Sequence, residues 1–302
     1  MRIVFMGTPE FAVASLDILV QNGYTIAGVI TATDKPSGRG QKLTPSAVKE
    51  YALAKGLPIL QPEKLKNEDF ITELRNLKAD LQIVVAFRML PEMVWNMPPL
   101  GTVNLHASLL PQYRGAAPIN WAVINGEQET GVSTFFLQQE IDTGNMIFNE
   151  KTPIGANETA GELHDRLMNI GAKLILKTVQ AIESKSAPSI PQQTAAVLKS
   201  APKIFKETCR IDWNQNCDEL HNFIRGLSPY PAAFTTLKEL GLKIYKAEKL
   251  VQTHELPVGT PLSDGKNYLH IACKNGFMNI LTLQLEGKKK MDVVEFLRGY
   301  KL

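Results

Sequence analysis

Asn104 and His106 stand two residues apart in the run GTVNLHASLLP, and in a strand that spacing points both side chains to one face. An amide donates hydrogen bonds and an imidazole takes or gives a proton near neutral pH, so the pair has the means for acid–base chemistry on a bound ligand. Asp142 follows in QQEIDTGNMI, 36 positions beyond His106, in a turn closed by Gly144. Alone, an Asp in such a turn is local capping, because its carboxylate satisfies nearby backbone N–H groups. A lone histidine is likewise more often a packing residue than a catalyst, and His164, His221, His254 and His270 are read that way. His106 is set apart by the stretch SLLPQYRGAAPINWAVINGE, which packs a proline-bounded loop, a basic residue, a Gly-Ala-Ala-Pro turn and a helix into a short space.

These residues need a scaffold. At about 150 residues per domain, a 302-residue chain predicts two domains. RIVFMG is an apolar run ending in Gly, PEFAVASLDILVQNG places apolar residues at helical spacing, and TIAGVITATD is β-branched, which together predict a βαβ unit. EDFITELRNLK then reads as a helix, ADLQIVVAF as a third strand and GTVNLH as a fourth. Strands alternating with helices predict an α/β, Rossmann-like, mostly parallel sheet covered on both faces. Such sheets bind ligands at the carboxyl ends of their strands, where Asn104 and His106 fall. GVSTFFLQQ and NMIFNEKTPI read as an antiparallel pair, followed by one long helix from Thr159 to Ser184. The Pro-, Ser- and Ala-rich stretch after it has no period and reads as a linker. Beyond it, short strands and turns around the helix of CDELHNFIRGL and a terminal helix MDVVEFLRGYKL predict a small OB-like β-barrel. The expected domains are 1–187, a linker 188–206, and 207–302.

Composition excludes several classes. Hydrophobic residues are 44% and charged residues 21%, the balance of a folded globular chain. No stretch approaches the roughly 18 apolar residues of a membrane span, and IVFMG after Met1 lacks the parts of a signal peptide, so an unexported, cytoplasmic protein is expected. Cys209, Cys217 and Cys273 form neither a disulfide framework nor a zinc pattern, which predicts a reducing compartment and no metal. From Lys203 onward, 15 Lys plus Arg face 11 Asp plus Glu, against 18 and 19 before it, a mild hint of a polyanionic partner on the C-terminal part. A dinucleotide fingerprint fails at Pro9, which stands where the second glycine of G-x-G-x-x-G is needed, and Glu10 places negative charge where phosphate would sit. Gly7 and Pro9 instead fit a tight turn and a proline at the first helical position.

Asn104, His106, the string SLLPQYRGAAPI from Ser108 to Ile119 and the Asp142-Thr143-Gly144 turn resemble the signature of the folate-dependent formyltransferases. The opening IVFMGTPEFA, the loop DKPSGRGQKLTPSAVKEYA, the RIDW string at Arg210–Trp213 and a C-terminal domain of suitable size extend the resemblance over nearly the whole chain, toward the branch that acts on methionyl-tRNA. The resemblance implies transfer of a formyl group from 10-formyltetrahydrofolate, without a metal, to the amino group of initiator methionyl-tRNA by a monomeric enzyme. It implies an amide donor in Asn104, a shared acid–base and oxyanion role for His106, and an orienting or proton-shuttling role for Asp142. Ser108, Leu109, Leu110 and Pro111, with Phe87, Arg88, Met89 and Leu90, would face the folate, although the Arg-Met pair departs from the small apolar loop expected there. Arg39 and Lys42, in a Gly-flanked basic loop that also carries Lys49, would meet the acceptor end of the RNA. Lys203, Lys206, Lys243, Lys246 and Lys288, with Lys249, Lys289 and Lys290 beside them, would meet its phosphates. The alternative acceptor is the amine of a sugar nucleotide or of glycinamide ribonucleotide, and the glycinamide ribonucleotide enzymes resemble only the catalytic part and stop near residue 200; a folate- or RNA-binding module without turnover is the reading from another class.

Overall fold

A computed structural model of the chain describes residues 1–37, 42–193 and 197–301. They fall into two compact units. The first comprises Met1–Arg114, Gly131–Thr152 and Asp165–Lys199; the second takes Gly115–Thr130, Pro153–His164 and the chain from Ser200 onward.

In the first unit, RIVFMG forms β1 (Arg2–Gly7), in which Ile3, Val4, Phe5 and Met6 are all fully buried. A continuous apolar run is what a strand covered on both faces requires. α1 (Glu10–Gln21) follows with Pro9 at its N-cap, one place before the position expected, and β2 (Thr25–Ile30) completes the βαβ unit. A hairpin, β3 (Lys35–Ser37) with β4 (Lys42–Thr44), and the helix α2 (Ala47–Ala54) intervene before β5 (Ile59–Leu60), which pairs parallel to β2. α3 (Glu68–Asn76), β6 (Leu81–Val85), α4 (Glu92–Trp95) and β7 (Thr102–His106) come next, with short β8 (Arg114–Gly115) after them, and the chain then enters the second unit as α5 (Pro118–Ile124) before returning. β9 (Glu129–Phe136), β10 (Met146–Pro153) and α6 (Ala160–Glu183) close the α/β part. The sheet order is β10-β9-β7-β6-β1-β2-β5. β1, β2, β5, β6 and β7 pair in parallel, and β9 runs antiparallel to β7.

This frame sets the position of β7. Its central residues lie between β6 and β9, with Asn104 opposite Val84 on one side and Phe135 on the other. Against one face lies α6, whose Gly171 comes so near that an added Cβ would fall 2.7 Å from Leu105 Cδ2. Leu105 is buried under the helix, so its neighbours Asn104 and His106 turn to the opposite face.

The second unit is a curled antiparallel sheet with helices. After β11 (Ser200–Ala201) comes α7 (Cys217–Leu227), which starts at a capping box of Asn216 and Glu219. β12 (Ala233–Leu237), β13 (Leu240–Val251), β14 (Pro261–Ser263), β15 (Leu269–Cys273) and β16 (Gly276–Leu285) run in the order β12-β13-β16-β15-β14, and β17 (Met291–Asp292) pairs with β16. The terminal helix α8 (Val293–Gly299) therefore begins two residues later than its sequence suggests, because Met291 and Asp292 are drawn into the sheet. The α/β fold with a following small β domain agrees with the sequence reading.

Candidate active site

His106 ends β7 with only 7% of its surface exposed. Its Nε2 lies 2.8 Å from the Tyr113 carbonyl oxygen, which can only accept, so Nε2 carries the hydrogen. That fixes the tautomer of the neutral ring and leaves Nδ1 as the atom that gains and loses a proton. Nδ1 faces Asp142, with the carboxylate Oδ2 at 3.8 Å. Both side chains are nearly buried, at 8% and 11% exposure, so their attraction is little screened by water. Asn104, two positions back on the same face, is partly exposed, and among the described residues no hydrogen-bond partner occupies its amide. The structure thus brings His106 and Asp142 together and presents an amide donor from the strand that carries the histidine.

Two loops aim these groups. Asp142 sits at φ +54°, and Gly144 packs so tightly on the end of β9 that an added Cβ would lie 1.6 Å from the Phe136 carbonyl oxygen. The turn therefore has one place to sit. In the loop after β7, Tyr113 is left-handed at φ +59°, which turns its carbonyl back onto His106. Ser108 is fully buried and donates its hydroxyl to the Gln112 carbonyl at 2.7 Å. Ser133 of β9 reaches across, donating to the Ser108 carbonyl at 2.7 Å and accepting from the Leu110 N–H at 3.2 Å. Sequence reasoning passes over Ser133 and Tyr113. Their contribution lies in a hydroxyl and a carbonyl aimed by tertiary packing, and no residue pattern signals either.

Residues 1–179 match the family model for formyl transferase, and residues 203–301 match that for the formyl transferase C-terminal domain. The methionyl-tRNA formyltransferase of Bacteroides thetaiotaomicron is 58% identical over 310 aligned positions, covering 100% of this chain and 96% of its own. That of Flavobacterium johnsoniae is 57% identical, covering 99% and 96%. The chain belongs to the methionyl-tRNA formyltransferase family. Among solved structures, the sugar 3N-formyl transferase WlaRD, determined in the presence of dTDP and 5-N-formyl-THF, superposes with a TM-score of 0.67 at 23% identity, over 96% of this chain and 99% of that one. HypX from Aquifex aeolicus in complex with tetrahydrofolic acid gives 0.66 at 19%, with all of this chain matching 48% of HypX. At such identities these two share the fold.

Within this formyltransferase frame the remaining sequence-predicted residues fall as follows. Leu110 is buried, while Leu109 and Pro111 are partly exposed. Arg88, Met89 and Leu90 line a cavity of about 560 Å³ with Leu65, Lys66 and Met93, a volume in the range of small-molecule sites. Arg88 donates to the Glu63 carbonyl at 2.7 Å and to that of Pro62, and its guanidinium stands 5.6 Å from the centre of the half-buried Phe87 ring. The Arg-Met pair that departs from an apolar loop is thus partly explained, since the arginine ties its loop to the 62–63 segment and leaves Met89 70% exposed. Lys42 opens β4, and Arg39 lies outside the described residues. Lys203, Lys206, Lys243, Lys246 and Lys288 are all exposed. Lys243 and Lys246 face outward together because the pairing of β13 with β16 shifts register on both sides of Lys246. Cys209, Cys217 and Cys273 are free and buried. Among the described residues no cluster of three or more His, Cys, Asp or Glu is arranged to hold a metal, and no helix is long and apolar enough to cross a membrane.

Proposed function

We propose that this enzyme moves the formyl group of 10-formyltetrahydrofolate onto the free amino group of initiator methionyl-tRNA, with Asn104, His106 and Asp142 as its catalytic residues. The amine attacks the formyl carbon directly, so no acyl-enzyme forms. The carbonyl oxygen becomes an oxyanion, to which the Asn104 amide and a protonated His106 Nδ1 donate. The attacking nitrogen sheds a proton to the Asp142 carboxylate. Collapse of the tetrahedral intermediate breaks the bond to N10 of the folate, which takes that proton back. The products are N-formylmethionyl-tRNA and tetrahydrofolate. The observation that carries the assignment is the pairing of His106 Nδ1 with Asp142 at 3.8 Å while Nε2 is committed to Tyr113.

The loop from Ser108 to Pro111 and the Phe87–Leu90 segment hold the folate, with apolar walls for its ring and backbone groups for its polar edge. Arg39 and Lys42 meet the acceptor end of the tRNA, and Lys203, Lys206, Lys243, Lys246 and Lys288 meet its phosphates without reading sequence. The deciding assay is transfer of labelled formyl from 10-formyltetrahydrofolate to methionylated initiator tRNA, beside uncharged tRNA and a His106→Ala enzyme. Transfer that needs the charged tRNA, falls about 100-fold or more in the variant, and weakens steeply with salt is the expected result. Transfer to an amino sugar nucleotide in preference to tRNA would overturn the acceptor assignment and leave the chemistry standing.

A further inference from the structure

The segment that follows α6 reads in sequence as a linker, yet its side chains and carbonyls reach both halves of the His106–Asp142 pair. Ile190 forms a two-bond bridge with Met146, at 2.7 and 3.0 Å, just beyond the turn that carries Asp142. Two residues later, the Gln192 amide nitrogen donates to the Asp142 carbonyl at 2.8 Å and to the Gly144 carbonyl at 2.9 Å. Its amide oxygen accepts from Arg114 Nη2 at 2.5 Å. Both donors of one amide are therefore spent on the two carbonyls that bracket Thr143. Farther along, the Lys199 carbonyl accepts from the Tyr113 N–H at 2.6 Å, and the Gln112 side chain grips the same stretch through the Val197 carbonyl at 3.0 Å and the Lys199 N–H at 2.8 Å. Tyr113 is the residue whose carbonyl holds His106.

We propose that Gln192 is a positioning residue for formyl transfer. It holds the Asp142 turn while Lys199 holds Tyr113, and the brace formed by these two contacts sets the distance between His106 and Asp142. The proposal rests on the reading of that pair as catalytic. The Asp142 turn holds a left-handed, non-glycine residue, and two hydrogen bonds to its carbonyls keep the carboxylate opposite Nδ1. Without them the turn is free to rotate its carboxylate away. Displacement of a reacting group by about 1 Å is enough to cost up to about 100-fold in turnover.

The test uses the full chain with Gln192→Met, which keeps the shape and removes every hydrogen bond, and Gln192→Glu, which keeps an acceptor for Arg114 and removes both donors. Expected for both variants is a kcat about 10- to 100-fold lower, with KM for folate and for methionyl-tRNA within about twofold. That split, kcat falling while both KM values hold, is what a contact that merely supports the fold would not cause. Because Gln192 is only partly buried, Gln192→Glu provides a folded variant even where Gln192→Met is poorly behaved. Wild-type kcat in Gln192→Glu, or a KM rise at unchanged kcat in either variant, overturns the brace. A His106→Ala enzyme that keeps full activity overturns the catalytic reading and the brace with it. An inactive His106→Ala enzyme beside a fully active Gln192→Met enzyme overturns the brace alone.

Discussion

Replacing Gly144 by alanine isolates one atom next to the site. The new Cβ would stand 1.6 Å from the Phe136 carbonyl oxygen and 2.9 Å from its carbon, where real Cβ atoms are not found below about 3.0 Å. The obstacle is the backbone at the end of β9, held by its pairing with β7, so relief must come from the turn, which has to back away by well over 1 Å. Asp142 lies two residues before it and would move with it. A shift of that size in a reacting group predicts loss of kcat of about 100-fold. Strain and lost contacts should also lower stability by about 1–3 kcal/mol, as for overpacked sites. Single-turnover formylation of methionyl-tRNA, with thermal unfolding in parallel, measures both. Gly299→Ala is the control, because no atom lies within 4 Å of its added Cβ. Wild-type turnover and melting temperature in Gly144→Ala would show that the turn is not pinned by β9 and would refute the argument.

Ser133→Ala removes the hydroxyl that bridges the Ser108 carbonyl and the Leu110 N–H, leaving two buried backbone groups unpaired at about 1–3 kcal/mol each; the melting temperature should fall and KM for the folate rise more than KM for tRNA. His221 is held below the usual histidine range by burial first, then by Arg225 and Lys249. Its folded pKa is the lower one, so its neutral form gives full stability above the unfolded value of about 6.5 and loses it as pH falls toward the folded value; His221→Gln should flatten that acid limb in denaturant titrations. The Cys217 thiol is pushed up to about 12 by burial and by its neighbour Cys273, whose sulfur lies 3.4 Å away. Alkylation at pH 8 should therefore spare Cys217 in the native chain and label it after denaturation, as read by peptide mass mapping.

Much of the frame was legible because it rests on local patterns. The apolar run of β1, the helical spacing of α1 and the β-branched residues of β2 announce a βαβ unit, and the alternation through Asn104, Leu105 and His106 gives the face of the pair. The hairpin of β3 and β4 was not legible, since it is short, polar and interrupted by Pro36. The two residues of β5 are a strand only because β2 offers them partners. The stretch around Gln192 has neither period nor charge, and it earns its place by aiming hydrogen bonds at carbonyls that no sequence pattern locates. Asp142 was joined to His106 only through the family resemblance, since its turn alone reads as local capping, and the carbonyl of Tyr113 beside the imidazole was not legible at all, because any residue carries a carbonyl.

The left-handed backbone at Tyr113 and Asp142 also has a consequence for the energy landscape of the first unit. Each such non-glycine residue costs on the order of 1–3 kcal/mol, and local opening of these loops would return it. The neighbouring amides should then exchange with deuterium faster than those of β1 and β6 under native conditions. Tyr113→Gly should slow that exchange and keep the carbonyl turned toward His106, because glycine takes up the left-handed conformation without strain. The loops of Tyr113 and Asp142 thus hold local strain that their opening would release.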